Sequence, residues 1–347
     1  MSQPHRNAHC RKRDGQYIKD FKRLIKRLNV KKICLVLLII FSFSKVKAQD
    51  SLKWSTKNRN LSIQLLFPDW KSKALILSFD DGRVEDRKLV ALLNEYNLKG
   101  TFHLNSGRLS TPGTVNHDEL KSLYGGHELS LHGYNHQGMT HLSNIDYIYE
   151  IGEDRRTLEQ ISGQLIRGLA YPFGSYNVDA IPTMRDLGIE YARTVADTYA
   201  FDVPKNFLVW HPSIHMFGKA GYMGNLPEDD KKEYERFDAL TESFFETENL
   251  ALYYVWGHSW EYTDKWDRVS RFFEKVSGKK NIFYTTHIDL VDYLNAYKRM
   301  IISVDKTQFF NPNSTTLYIK VTDYTDLNNP KSQKILIPAG SSAKIDR

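Results

Sequence analysis

Four short stretches of the sequence concentrate side chains that can do chemistry. Asp80 and Asp81 stand side by side in SFDDG (78–82), and His132 and His136 stand four apart in HGYNH (132–136). Tyr171 and Phe173 lie in AYPFG (170–174), and His258, Trp260 and Glu261 lie in WGHSWE (256–261). Two adjacent carboxylates repel each other unless a positive group is near. Asp81, His132 and His136 together offer one carboxylate and two imidazoles, a set that suits a catalytic divalent ion with positions left open for water and substrate. Taken singly, each stretch has a plainer reading: a turn for Asp-Asp-Gly, an ordinary hydrogen-bonded histidine, a loop bend for Pro-Phe-Gly. It is their convergence that carries the argument.

Two decoys can be set aside. HELSLH (127–132) places its second histidine one residue too late for the H-E-x-x-H pattern, and the segment reads as a strand. WHPSIH (210–215) holds His211 and His215 at the same spacing as the main pair, but Pro212 and a strand-like context argue against a metal centre. His215 is expected to line the pocket.

These residues need elements to position them. Short apolar runs at 74–79, 101–105, 128–132, 166–171, 189–195, 207–211, 250–257 and 282–286 read as strands. Several are nearly continuous in apolar residues, as in parallel strands covered on both faces. Helices are expected near 85–97, 117–124, 145–162, 178–187, 230–247 and 266–276, and the alternation argues for an α/β fold. Eight strands suit a barrel ringed by helices, with an open doubly wound sheet as the competing architecture. In both, catalytic groups collect at the C-terminal ends of strands, where the four stretches fall. Beyond about residue 300 the pattern becomes short strand-like runs separated by NPNS and LNNPKS turns, which predicts a small β appendage.

Charge is distributed unevenly along the 347 residues. The net charge is +7, yet residues 1–48 hold 13 Lys and Arg against Asp14 and Asp20. The remainder has 35 basic and 39 acidic residues and a net charge of −4, which removes the support for nucleic-acid binding. The basic leader runs into an uncharged stretch at 33–44, too short to cross a bilayer, where about 20 residues are needed. With Val46 and Ala48 following, 1–48 is expected to be a signal peptide and the protein to be exported, with an uncleaved membrane anchor as the alternative. Cys10 and Cys34 are the only cysteines and both fall in this leader, so any metal in the mature chain must be held by His, Asp or Glu. The expected organisation is a leader (1–48), a lead-in (49–71), the main domain (72–299) and the β appendage (300–347). The mature chain is expected to have no stable membrane span, and nothing in the sequence speaks to oligomeric state.

In this order, SFDDG, HGYNH (beginning 51 residues after Asp81), AYPFG and WGH resemble the polysaccharide deacetylases, the NodB-homology proteins of carbohydrate esterase family 4. The resemblance covers roughly 72–295. It implies a distorted (β/α) barrel of about seven or eight strands and metal-dependent removal of acetyl groups from N- or O-acetylated polysaccharides or oligosaccharides. By the same resemblance Asp80 is the catalytic base, Asp81, His132 and His136 hold the metal, and His258 is the general acid. The ion is expected to be zinc, with cobalt, nickel and manganese compatible with the same ligands. The backbone N–H of Phe173 is a candidate oxyanion donor. Tyr171, Trp210, Trp256 and Trp260 are candidates for stacking on sugar rings.

One departure stands out. The family's third motif usually begins with an arginine that orients the base, and here that position is Ala170. The AYPFG variant resembles the branch acting on exopolysaccharide poly-N-acetylglucosamine more than the chitin and peptidoglycan branches. Arg193, with Asp197 as its possible partner, and Arg167 are the candidate replacements. Two rival functions remain at this level: a carbohydrate-binding relative that has lost catalysis, and a glycosidase using Asp80 with Glu261.

Overall fold

The computed structural model describes residues 60–218 and 227–345. The leader, and with it the export reading, lies outside the described residues. The strands are β1 (Leu61–Leu66), β2 (Lys73–Asp80), β3 (Thr101–Leu104), β4 (Glu128–Leu131), β5 (Gly168–Ala170), β6 (Tyr191–Arg193), β7 (Ile214–His215), β8 (Ala251–His258), β9 (Ile282–Tyr284), β10 (Ile301–Ile302), β11 (Gln308–Phe310), β12 (Leu317–Asp323), β13 (Lys331–Ile337) and β14 (Ser342–Lys344). The helices are α1 (Asp86–Glu95), α2 (Leu120–Leu123), α3 (Asn144–Ser162), α4 (Ile181–Asp186), α5 (Pro227–Glu246), α6 (Trp266–Val276) and α7 (His287–Lys298). No helix among the described residues is long and apolar enough to cross a membrane.

Parallel strands in the order β6-β5-β4-β3-β2-β8-β7 form the main sheet, and β9 pairs with the first half of β2. Backbone bonds from Ala192 and Thr194 to Phe207 and Trp210, and from Ser213 to Tyr254, carry the sheet round towards closure. The result is a distorted (β/α) barrel. The expected strand at 207–211 contributes only a bridge from Trp210 to Arg193, and the regular pairing with β8 comes from 214–215. Pro212 explains the shift, since it has no N–H to give to a ladder.

Period two governs which side chains enter the barrel. Along β2, Leu75, Leu77 and Phe79 pack outward on Leu89 and Leu93 of α1, while Ala74 and Ile76 join a second cluster with Leu252, Tyr254 and Trp256 of β8. The same parity carries on to Asp80 and His258, which are register partners at the last position of β2 and β8. A near-continuous apolar strand thus ends by delivering one polar side chain inward.

A helix without a counterpart in the sequence reading, α7, lies beneath the barrel. Thr286 caps it by accepting from Asp289 N–H, and its first residue, His287, stacks on Tyr191 at 3.5 Å between ring centroids. Its apolar side, Leu290, Val291 and Leu294, shares a core with Leu65 of β1 and Leu317, Ile319 and Val321 of β12. The C-terminal strands form two small antiparallel sheets, β1-β12-β13 and β10-β11-β14. The first recruits β1 from the lead-in, paired with β12 over its whole length.

Candidate active site

Asp80 ends β2 with its side chain 2% exposed. Asp81 leaves the strand at φ 83°, a left-handed conformation, and Gly82 follows at φ 62°. This turn sends the two neighbouring carboxylates in different directions. Asp80 Oδ2 accepts a short hydrogen bond from Arg193 Nη2 and lies 3.8 Å from His132 Nε2 and 4.0 Å from His258 Nε2. Burial by itself would push the Asp80 carboxyl up. Arg193, with the surrounding histidines, outweighs it and holds the group well below the usual carboxylate range.

Asp81, His132 and His136 converge. Asp81 Oδ1 is 3.7 Å from the Nε2 of each histidine, and the two Nε2 atoms are 3.1 Å apart. His132 Nδ1 lies 2.8 Å from the Ala170 carbonyl, which fixes the proton on Nδ1 and directs the Nε2 lone pair towards Asp81. Burial, then His132, lowers the His136 pKa to about 4, so that ring is neutral near pH 7. The Nε2 atoms of both rings face one carboxylate oxygen, the arrangement of donors a divalent ion requires. The residues fit such an ion.

Helix α3 holds this loop from behind. Glu150 accepts from Asn135 N–H and Nδ2 at 2.8 and 2.7 Å, and Asp154 accepts from the N–H groups of Ser106 and His132 at 2.8 and 3.1 Å. Asn105 donates to the carbonyls of His132 and Gly133. His136 itself sits at φ 60°.

On the opposite side, His258 points Nε2 at Asp80 and Nδ1 at Glu261 Oε2, 3.3 Å away. Glu261 Oε2 also accepts from His258 N–H at 3.0 Å and lies 3.2 Å from His215 Nε2. Burial favours the neutral imidazole, but the Glu261 carboxylate, with Asp80 and Asp81 behind it, lifts the His258 pKa to about 9. Burial would likewise raise Glu261, yet His215 and His258 hold it below the usual carboxylate range. In the sequence, the offset of three residues between Glu261 and His258 is the available signal of this contact.

Arg193 is at the C-terminal end of β6, directly in register with Ala170 on β5. The guanidinium absent from position 170 is therefore supplied at the same level from the adjacent strand. It is fully buried, lies over the Trp256 ring at 4.4 Å and donates to the Thr194 carbonyl. Asp197 does not meet Arg193 through a salt bridge; it accepts from Trp256 Nε1 at 2.8 Å and so holds the ring on which Arg193 rests.

Several expected residues are placed elsewhere. Arg167 precedes β5 at the opposite end of the barrel and grips Asp292 at 2.7 Å and Glu190 at 2.9 Å, out of reach of Asp80. Trp210 is wholly buried among Phe207, Tyr254 and His287, and Tyr171 is wholly buried with its hydroxyl on the Leu208 carbonyl. Both are core residues with no ring face for a sugar, Tyr171 in the cluster of Leu75, Leu77 and Phe79 and Trp210 in that of Ile76 and Tyr254. Trp256 lies under Arg193, and His215 is 1% exposed behind Glu261. At the mouth, Trp260 is partly exposed and donates to Asp81 Oδ2 at 3.1 Å. Phe173 is 58% exposed at φ 58°, with its ring 4.5 Å from that of His136.

Residues 68–192 match the family model for polysaccharide deacetylase, about a third of the chain. The match includes Asp80, Asp81, His132 and His136 and stops before Arg193 and His258. A candidate polysaccharide deacetylase from Mycobacterium smegmatis shares the fold over 68% of this chain and 95% of its own, with TM-score 0.53 and 16% identity. A Streptococcus pyogenes deacetylase solved with acetate aligns at 19% identity and TM-score 0.37 over 39% of this chain, which spans 61% of that protein. A family 4 carbohydrate esterase from Bacillus anthracis aligns at 14% identity and TM-score 0.43, covering 66% of this chain and 86% of its own. No curated protein matches the sequence.

Proposed function

We propose that this protein is an exported, metal-dependent hydrolase that removes acetyl groups from an N-acetylated polysaccharide. The observation that carries the proposal is the placement of Asp80 between the Asp81–His132–His136 donor set and His258, with Asp80 Oδ2 3.8 Å from His132 and 4.0 Å from His258. A divalent ion bound there polarises an acetyl carbonyl and makes water a better nucleophile at neutral pH. Zinc suits one carboxylate and two imidazoles, as do cobalt, nickel and manganese.

The remaining steps belong to the chain's own residues. Asp80, kept ionised and oriented by Arg193, takes the proton from the attacking water. His258 faces the same space with a proton on Nε2 and gives it to the departing amine, which makes the amide nitrogen a viable leaving group. Glu261 balances the positive charge on that imidazole. The backbone N–H of Phe173, whose ring lies 4.5 Å from that of His136, is the proposed oxyanion donor. Trp260, partly exposed at the mouth, offers a flat face to a sugar ring. The basic and then apolar order of residues 1–48 supports export towards a polymer outside the cytoplasm. Arg193 answers the absence of arginine at position 170, so a binding-only relative is the weaker reading.

The test is acetate release from poly-N-acetylglucosamine, chitin oligomers, peptidoglycan and acetylated xylan, with and without a chelator. Acetate from at least one polymer, abolished by chelation and restored by zinc, is expected. Metal uptake with no acetate from any polymer would favour the binding-only relative, and chain shortening without acetate would favour the glycosidase.

A further inference from the structure

Behind the proposed acid stands a second group of donor atoms. His215 Nε2 and His258 Nδ1 lie 3.2 and 3.3 Å from the same oxygen, Glu261 Oε2. One donor atom from each of the three residues falls within 4.8 Å of the others. Donors about 2.0–2.2 Å from a tetrahedral zinc stand roughly 3.3 Å apart, so these separations are those of a ligand set as much as of hydrogen bonds. The Asp81–His132–His136 set shows the same scale, 3.1 to 3.7 Å.

Charge makes the same point. The side chains of His215, His258 and Glu261 are only 1%, 8% and 11% exposed. Two imidazole nitrogens buried against one carboxylate oxygen need positive charge between them, either as imidazole protons or as one cation. His215 Nδ1 is buried and has no hydrogen-bond partner among the described residues, so none of them dictates which ring nitrogen carries the proton. With the proton on Nδ1, the Nε2 lone pair faces the Glu261 oxygen. A cleft of about 220 Å³ bordered by Met216, Phe217 and Trp260 reaches Glu261.

We propose that His215, Glu261 and His258 form a second divalent-cation site, suited to zinc, whose occupation is incompatible with proton donation by His258. Binding is a ligand exchange without redox change: the ion takes one lone pair from each imidazole and one from the carboxylate, and the protons the imidazoles held there pass to solvent. A ring ligated through Nδ1 keeps its Nε2–H facing Asp80 but is no longer an imidazolium, and it has no readily donated proton. Two imidazoles and one carboxylate match zinc and cobalt better than magnesium or calcium. The cation site stands on geometry alone; its inhibitory consequence rests on the acid role proposed above for His258.

The experiment loads metal-free full-length protein with excess zinc, removes weakly held ions by gel filtration and counts zinc per chain. A parallel titration follows cobalt by visible absorption. The wild-type protein is expected to retain one ion more per chain than either His215→Gln or Glu261→Gln, with one absorption step missing in both variants. The near-isosteric Glu261→Gln change keeps the test decisive if the buried His215 substitution fails to fold. Equal zinc content in the wild type and the folded variants would overturn the site. In the activity arm, acetate release by the wild type should fall at least tenfold as the second ion fills, and His215→Gln should lose this inhibition. A second ion that binds in the wild type and is lost in the variants, with acetate release unaffected throughout, would leave the cation site standing and remove the acid role from His258.

Discussion

At the scale of single residues, the environment of each titratable group separates the members of an otherwise similar set. Asp80 and Asp81 are the same residue type one position apart, yet only Asp80 meets a guanidinium. Arg193 overrides the burial that would raise Asp80, so Arg193→Met should release it. The acidic limb of the kcat/KM profile is then expected to move to higher pH, towards neutrality, with zinc content retained. An unmoved limb would show that Asp80 does not titrate as the base. His258 is governed by the opposite sign. Its pKa is lifted to about 9 chiefly by Glu261, so the alkaline limb should lie near that value, and Glu261→Gln should shift it to lower pH. Both readouts separate a change in protonation from loss of folding. Asp80, Asp81, His132, His136 and His258 were legible in the sequence because their residue types and order are unusual together. Glu261 was visible but unassigned, because only proximity to both His215 and His258 distinguishes it from a surface acid.

At the scale of elements, the site is a product of strand parity and register. Asp80 and His258 occupy the inward phase of β2 and β8, and Arg193 shares the level of Ala170 across β5 and β6. Parity can be counted along a sequence; register between strands cannot, since it depends on how helices and loops set each crossover. That is why the sequence offers Arg167 beside Arg193 as a candidate, whereas the two lie at opposite ends of the barrel. Tyr171 and Trp210 are aromatics spent on the core, one in each of the two apolar clusters. Gly168 illustrates the tolerance involved: a Cβ there would overlap the Tyr191 ring, whose hydroxyl donates to Glu128 at 2.6 Å. Gly168→Ala is expected to destabilise the barrel by about 1–3 kcal/mol, as overpacked cores do. Thermal unfolding measures this, and an unchanged midpoint would mean that Tyr191 moves aside freely.

At the scale of the whole molecule, the β strands beyond residue 300 are tied to the barrel through shared apolar surface. β1 from the lead-in pairs with β12, and their buried side chains join α7 in one core. Removing 301–347 should therefore uncover Leu65, Leu290, Val291 and Leu294 together. The expected outcome is an aggregated or protease-sensitive product, measured by soluble yield and limited proteolysis. A truncated chain that is soluble and resists proteolysis as the full chain does would show that this core is dispensable. What the sequence by itself determined was local: which segments are strands, where polar residues interrupt them, and which donor types are present in the absence of downstream cysteine. These follow from periodicity and side-chain chemistry, which each short window carries. The tertiary structure alone decided which cation faces Asp80, that Glu261 joins His215 to His258, and that β1 shares a sheet with β12 and β13. Each of these depends on contacts between residues far apart in sequence, 113 positions for Arg193 and Asp80, and no local pattern encodes the register that brings such residues together.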